Sequence, residues 1–186
     1  MNIFRDISIR KKLLIPPIIM VITLVIILFI AVNGMENQRK VLSNVQEITL
    51  KRLPLLNEFI TASNLVQSDV YNLSVLKFMQ APESKILSVS ESLSMGLNNL
   101  KIINGEILCR WILDENEKTI LQELNKPLNA FRHQAHQAAM AVLENPSFGT
   151  LLVKSAAIPF NELSLLLLKL QKYQEEKIVQ AKSQSE

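Results

Sequence analysis

The residues best suited to metal chemistry are His133 and His136, the only two histidines of the chain. Three positions apart, they share one side of a predicted helix, where two neutral imidazoles could bind a single metal ion. A zinc site needs further protein ligands and outer partners, and the sequence offers no identifiable third ligand. Two exposed polar histidines are therefore the favoured interpretation, and a metal site remains the minor alternative.

The single cysteine, Cys109, lies in the segment Ile-Leu-Cys-Arg-Trp-Ile-Leu. This apolar setting predicts a buried thiol, and it predicts a core or rim position for Trp111. A disulfide between two subunits in an oxidising compartment is the alternative role for Cys109. One cysteine excludes a disulfide scaffold, a finger-type zinc site and an iron–sulfur cluster.

No arrangement of residues in the sequence predicts catalysis. Glu58 and Asp69 are isolated carboxylates on a predicted helix, which favours a solvated or dimer-facing surface over a general acid/base pair. The sequence lacks a glycine-rich phosphate loop, a G-x-S-x-G turn, an H-E-x-x-H helix and an aspartate-rich calcium loop. We therefore expect a protein that is not an enzyme and that carries no cofactor and no metal.

The elements that carry these residues are predicted from composition. The chain has 186 residues, 48% of them hydrophobic, with 4 Gly and 7 Pro, which favours an all-α domain over a sandwich or barrel. Of the 20 basic and 17 acidic residues, residues 1–12 hold four basic residues and one acidic residue. The remaining chain is neutral, so no basic surface for nucleic acid is predicted.

The N-terminal part of the sequence predicts a membrane anchor. Twenty uncharged residues run from Leu13 to Val32, enough for a helix that spans about 30 Å of hydrocarbon. Arg10, Lys11 and Lys12 precede this run, and the positive-inside rule then places residues 1–12 in the cytoplasm and the chain after residue 33 outside it. A cleaved signal peptide is the alternative, but its apolar core is shorter, about 7–15 residues.

For the exported part, residues 34–186, the sequence predicts four helices that form an elongated up-down-up-down bundle. The first helix extends to about residue 80, and the second begins after Pro82. The acidic turn at 114–116 and a turn at 145–149 bound the third helix, and the fourth reaches about residue 182. Pro127 and Pro159 are predicted to kink or interrupt the last two helices. Apolar residues three and four positions apart predict the core of the third helix: Leu121, Leu124, Leu128, Phe131, Ala135, Ala138 and Val142.

Short motifs resemble the sensor module of bacterial methyl-accepting chemotaxis proteins. The motifs are I-R-K-K-L-L at 9–14, K-R-L-P-L-L-N-E at 51–58, A-I-P-F-N-E-L at 157–163 and L-Q-K-Y-Q at 170–174. The resemblance implies an inner-membrane homodimer in contact with lipid, whose first and fourth bundle helices face the partner. It also implies that a small ligand, or a periplasmic binding protein, acts near the membrane-distal end and that a displacement of the fourth helix carries the signal inward.

In such a module, polar groups on the distal first helix and the fourth helix would bind the ligand. The candidates here are Asn64, Gln67, Ser68, Tyr71, Asn72, Asn161 and Ser164. Aspartate-sensing members use arginines in the distal half of the first helix, but residues 55–78 contain no Arg. Sensing of that kind is therefore not predicted.

The output of such a sensor is not determined by this sequence. A receptor also needs a second membrane span and a cytoplasmic signalling domain, so we expect the chain to be part of a longer protein. Similar sensors precede histidine kinases and diguanylate cyclases, and both stay open as alternatives. A single-pass, membrane-tethered helical adaptor or structural protein is the alternative from another functional class.

Overall fold

The computed structural model describes residues 9–183, and these residues are helical apart from short connections. Helix α1 covers Ile9–Glu47 and is followed by a π-helical turn, Ile48–Arg52. Four further helices follow: α2, Leu53–Phe78; α3, Glu83–Arg110; α4, Glu115–Glu144; and α5, Pro146–Ser183. No strand occurs within 9–183, which confirms the predicted all-α class. Residues 1–8, including most of the predicted cytoplasmic segment, lie outside the described residues.

The chain divides into two compact units, the first formed by residues 1–45 with 181–186. In this unit the apolar side chains of residues 17–32 are exposed. The side chains of Arg10, Lys11, Lys12 and Leu13 lie outside the described residues, whereas Val32 is 51% exposed. By length and composition the segment is apolar enough to cross a membrane, a test that the core helix of a soluble protein and a signal sequence also pass.

The second unit, residues 46–180, contains the hydrophobic core. Helices α2 to α5 each contribute a stripe of buried side chains, as amphipathic helices do when they pack on one another. All seven residues predicted for the core of α4 are buried, so the spacing of three and four positions identified the correct face. Helix α5 also passes the length and apolarity test for a membrane span, but its apolar face packs into this core.

The π-helical turn between α1 and α2 has a cause in the sequence. Pro54 lacks an N–H and would clash with a carbonyl one α-helical turn earlier. The wider π turn accommodates it, with the N–H of Leu53 donating to the carbonyl of Ile48 five residues back. The turn also changes the helical register, and Arg52 faces inward with 6% of its surface exposed.

The other prolines do not break their helices. Pro127 and Pro159 lie buried inside α4 and α5, so the predicted interruption of these helices is wrong. The predicted turn at 145–149 is also wrong except at Asn145, because α5 already begins at Pro146. Asn145 caps α5 by accepting a hydrogen bond from the N–H of Phe148 at 3.2 Å, and Pro146 occupies the first helical position, where no donor is lost.

Candidate functional site

A buried ionic cluster joins the π-helical turn before α2 and the start of α4 to the last third of α5. It consists of Arg52, Asp114, Glu117, Gln174 and Lys177, and we call these five residues the ionic cluster. All five belong to the second unit. They are contributed by three segments that are far apart in sequence, so the cluster forms only when the helices are packed together.

The centre of the cluster is the carboxylate of Glu117, which is 0% exposed. Its Oε1 accepts hydrogen bonds from Arg52 Nη1 at 3.0 Å, Gln174 Nε2 at 2.6 Å and Lys177 Nζ at 3.0 Å. Its Oε2 accepts from the N–H of Asp114 at 2.9 Å. A buried charge is tolerated only when it is paired and fully hydrogen-bonded, and here both oxygens have donors.

Asp114 begins α4 as its N-cap and completes a capping box with Glu117. Its Oδ1 accepts from the N–H of Glu117 at 2.9 Å, and its Oδ2 accepts from Tyr173 Oη at 3.0 Å and Lys177 Nζ at 2.9 Å. Burial alone would raise the pKa of Asp114, but these donors together outweigh it and the pKa lies below its ordinary value. The carboxylate is therefore held in its charged form.

Arg52 connects the π-helical turn to the connection between α3 and α4. Its Nε and Nη2 donate to Glu47 Oε1 at 3.1 and 2.8 Å, and Nη2 also donates to the carbonyl of Ile112 at 3.2 Å. The guanidinium carbon lies 5.4 Å from the ring centre of Trp111, within range of a cation–π contact. Trp111 is buried, as predicted.

Lys177 completes the charge balance from α5. Desolvation lowers its pKa, but hydrogen bonds to Asp114 and Glu117 outweigh that effect and the pKa lies above its ordinary value. Its Nζ also lies 5.6 Å from the ring centre of Tyr173. Two cations and two carboxylates thus meet in the cluster. Arg52 contacts both α4 and the connection before it, and Lys177 contacts both the N-cap residue Asp114 and Glu117 within α4.

The predicted ligand-binding residues lie mostly on the surface. Gln67 is buried, and its Oε1 has no hydrogen-bond partner among the described residues. Ser164 is half-buried, and the other five are exposed: Asn64, Ser68, Tyr71, Asn72 and Asn161. The contact recorded within this set joins Asn72 Nδ2 to Ser68 Oγ at 3.4 Å. Ligand binding by these residues stays a prediction.

Two predictions of burial are wrong. Cys109 is exposed rather than buried, because the apolar run around it is the end of α3, where the inward positions are taken by Ile107 and Trp111. Asp69 is 7% exposed rather than solvated, and its Oδ2 accepts from Ser92 Oγ at 2.7 Å. His133 and His136 are exposed, as favoured from the sequence, and no group of three or more metal-ligating side chains occurs in the part of the chain that is described.

The ionic cluster was missed by sequence reasoning, although one signal for it was present. The spacing Asp-x-x-Glu at 114–117 has the form of a capping box before an apolar helix, which places both carboxylates at the start of α4. The pairing of Arg52 and Lys177 with these carboxylates had no sequence signal, because the residues are separated by 60 or more positions.

No family model matches the chain, and no curated protein or solved structure matches it either. The resemblance to chemoreceptor sensor modules therefore rests on the motifs within residues 9–14, 51–58 and 157–174.

Proposed function

We propose that this chain is the extracytoplasmic, ligand-sensing part of a transmembrane chemoreceptor. The observation that carries the proposal is an exposed apolar helical segment at residues 17–32, followed in the chain by a separate helical unit, residues 46–180, that has its own hydrophobic core. A membrane anchor followed by a folded helical domain is the order of segments expected of a membrane-anchored sensor. Together with the motifs that resemble chemoreceptor sensor modules, this order favours a sensor over an adaptor.

The contacts between helices support an up-down-up-down bundle for residues 46–180. Asp69 contacts Ser92 between α2 and α3, and Arg132 Nε donates to the carbonyl of Leu97 between α4 and α3. Lys169 pairs with Glu123 between α5 and α4 at 3.3 Å. Ser74 and Thr150 close the ring between α2 and α5, with their hydroxyls 3.1 Å apart. Each helix thus contacts the next in chain order and α5 contacts α2, while α2 also packs directly against α4.

A second apolar seam on the outside of α5 supports a homodimer. Leu151, Ile158 and Leu165 are seven positions apart and 61–68% exposed, and α2 exposes Leu65 and Val75. A seven-residue repeat on a helix surface that stays exposed among the described residues is typical of a coiled-coil contact with another helix. The helices carrying this seam are those that the resemblance assigns to the dimer interface.

The ionic cluster gives the proposed sensor a means of transmission. A displacement of α5 along its neighbours α2 and α4 would pull Lys177 and Gln174 away from Glu117 of α4. The alternative positions of α5 would be set by discrete hydrogen-bond arrangements. Packed interfaces of this kind have a few stable arrangements rather than a continuum. A ligand shifts the balance between two arrangements only by binding them unequally.

The location of residues 34–186 can be tested with the native Cys109. In intact bacterial cells expressing the full chain, a membrane-impermeant maleimide is expected to label this exposed thiol. In the matched control, Cys109→Ser with Ser8→Cys, the thiol lies in the predicted cytoplasmic segment and should be labelled only after lysis. Labelling of Cys109 that also requires lysis would contradict the extracytoplasmic assignment.

Ligand sensing can be tested by thermal unfolding of the full chain in detergent with organic acids, amino acids and amines. A compound at 100 times its Kd should stabilise the folded state by about 2.7 kcal/mol. Loss of that gain in Tyr71→Ala or Asn72→Ala would support the distal ligand site, and an unchanged gain would exclude it. A chain that no compound stabilises would favour the adaptor over the receptor.

A further inference from the structure

The outward side of α3 carries a line of exposed apolar side chains. Met95, Ile102 and Cys109 are seven positions apart; Met95 is 68% exposed, Ile102 is 50% exposed, and Cys109 is exposed as well. The inward side of α3 packs into the core through other residues, such as Leu100 and Ile103. An apolar residue that recurs every seven positions on one side of a helix is the pattern of pairing with another helix. We call the three exposed residues the α3 seam.

The charges beside the α3 seam are few and of opposite sign. In a parallel pair of heptad helices, the residue just before a seam position faces the partner's residue five positions later. Here these residues are Lys101 and Glu106. Lys101 is exposed and has no ion pair among the described residues, and α3 has no carboxylate three or four positions from it. Glu106 pairs with Arg110 at 3.4 Å on the surface, but a carboxylate accepts several donors and retains room for a lysine.

The positions between the seam residues carry no charge. They are occupied by Asn98, which is exposed, and by Gly105, where an added Cβ would meet nothing within 4 Å. The equivalent position one heptad earlier is Glu91, and there two copies would bring like charges together. The paired segment is therefore limited to residues 95–109, about 21 Å of helix.

We propose that the α3 seam binds the α3 seam of a second copy of this chain, with the two helices parallel and in register. Copies anchored by the same N-terminal segment have the same orientation in the membrane, so a two-fold axis along the membrane normal brings each seam residue opposite its own counterpart. Apolar side chains then meet at all three positions of the seam. Lys101 of each copy faces Glu106 of the other, so two ion pairs of this kind form. The common orientation rests on the proposed function, in which residues 13–33 span the membrane.

This contact differs from the one proposed for the outside of α5. Helix α2 packs directly against α3 and α4, and α5 contacts α2 and α4 through Thr150 and Lys169. Helices α3 and α5 therefore lie on opposite sides of the α2–α4 pair, and a copy bound at the α3 seam leaves α5 free. Chains with two such faces join into rows of more than two copies. The paired segment is short, so the contact depends on the high effective concentration of chains held in one membrane.

Oxidative cross-linking of the full chain in bacterial membranes, with copper phenanthroline, tests the proposal. A disulfide needs Cα atoms about 4.4–6.8 Å apart, so cross-linking reports direct contact. Cys109 should give a product of twice the mass of the chain, and so should Cys109→Ser with Met95→Cys or with Ile102→Cys. The matched control is Cys109→Ser with Met140→Cys, a methionine of α4 that is 50% exposed, which should give only the background of random collisions.

Two results of this experiment would overturn the proposal. One is cross-linking of the Met140→Cys chain as fast as that of the seam positions, because contact would then not be specific to α3. The other is a product at the seam positions whose mass differs from that of two chains, because α3 would then be covered by another protein.

Charge reversal tests the predicted ion pairs. Lys101→Glu sets two carboxylates against each other in both pairs and should slow cross-linking of Cys109 about fivefold or more. Adding Glu106→Lys to that variant restores opposite charges and should restore the rate. Lys126→Glu, at an exposed lysine of α4, is the matched control and should leave the rate unchanged. A double variant as slow as Lys101→Glu alone would overturn the parallel, in-register pairing.

Cross-linking at α5 separates this proposal from the proposed function. A chain that keeps Cys109 and also carries Ile158→Cys, on the outside of α5, should give products larger than two chains. Products that stop at two chains would overturn the second face. Cross-linking through Ile158→Cys, with none at the α3 seam, would overturn this proposal and leave the homodimer intact, and the location of residues 34–186 is tested separately by maleimide labelling.

Discussion

Replacing Glu117 by Gln removes the central charge of the ionic cluster while preserving the shape of the side chain. A glutamine at this position still completes the capping box with Asp114, so the start of α4 should remain intact. With its oxygen on the N–H of Asp114, the amide turns its NH₂ group toward three donors, those of Arg52, Gln174 and Lys177, which are 2.6–3.0 Å from Glu117 Oε1. The buried Arg52 and the half-buried Lys177 then lose a counter-charge.

The expected loss of stability follows from the number of hydrogen bonds to Glu117 and from the burial of its carboxylate. Breaking a buried pair by removing one partner costs about 3–5 kcal/mol. In the variant Arg52 still pairs with Glu47, and Lys177 still pairs with Asp114. These remaining pairs favour the lower end of that range, so we expect a loss of about 3 kcal/mol in the free energy of unfolding. With a urea m value of about 2 kcal/mol/M, the midpoint of unfolding falls by about 1.5 M.

The assay is urea unfolding of the full chain in detergent at neutral pH, followed by far-UV circular dichroism. The matched control is Glu115→Gln, two residues away on α4, whose side chain is 88% exposed and pairs with Lys118. Surface pairs contribute about 0–1 kcal/mol, so this midpoint should hardly move. The reasoning is refuted if Glu117→Gln shifts the midpoint no more than Glu115→Gln does.

Three further predictions use the same unfolding assay. Because the pKa of Asp114 is depressed in the folded state, its carboxylate stabilises the fold above the unfolded pKa of about 3.9, and this stabilisation is lost as pH falls through the folded pKa. The difference in urea midpoint between wild type and Asp114→Asn should therefore narrow below about pH 4. A midpoint difference that does not depend on pH would contradict this. Gly96→Ala should destabilise the fold by about 1–3 kcal/mol, because the added Cβ would lie 2.7 Å from the buried Val66 Cγ2. Gly105→Ala, whose Cβ would have nothing within 4 Å, should instead stabilise the fold by about 0.4–1 kcal/mol. Changes of the same sign for both variants would be inconsistent with close packing of α2 on α3. Asn145→Ala should cost about 1 kcal/mol through loss of the α5 cap, and an unchanged midpoint would show that the cap contributes nothing.

The helices could be predicted from sequence because their signals are local. The positions of Leu121 and Leu128 follow from spacing alone, and both are buried in the core. The predicted interruption of the helices at the two internal prolines was wrong for a tertiary reason. Pro127 and Pro159 each remove one helical hydrogen bond, but both are buried among neighbouring helices, and packing of an amphipathic face supplies most of a helix's stability.

The ionic cluster could not be predicted in the same way. The inward position of Arg52 depends on the π-helical turn, which shifts the register by one residue, and a count of 3.6 residues per turn does not anticipate that shift. Asp69 shows the same limit on α2, since its burial depends on a neighbour from α3, Ser92. Periodicity identifies the face of a helix, and long-range pairs decide which polar residues that face can bury.

The central claim, that ligand binding displaces α5 against α2, is tested most directly by the distance between spin labels on these helices. Labels at Thr61→Cys and Glu162→Cys, both exposed positions that do not belong to the apolar seam of α5, are introduced into Cys109→Ser and diluted with unlabelled chain so that distances within one chain dominate. With the compound that stabilises the chain most in the ligand screen, the distance should change by about 1–2 Å. A label pair at Lys85→Cys and His136→Cys, on α3 and α4, should not change. A compound that raises the Tm while leaving the α2–α5 distance unchanged would contradict the account.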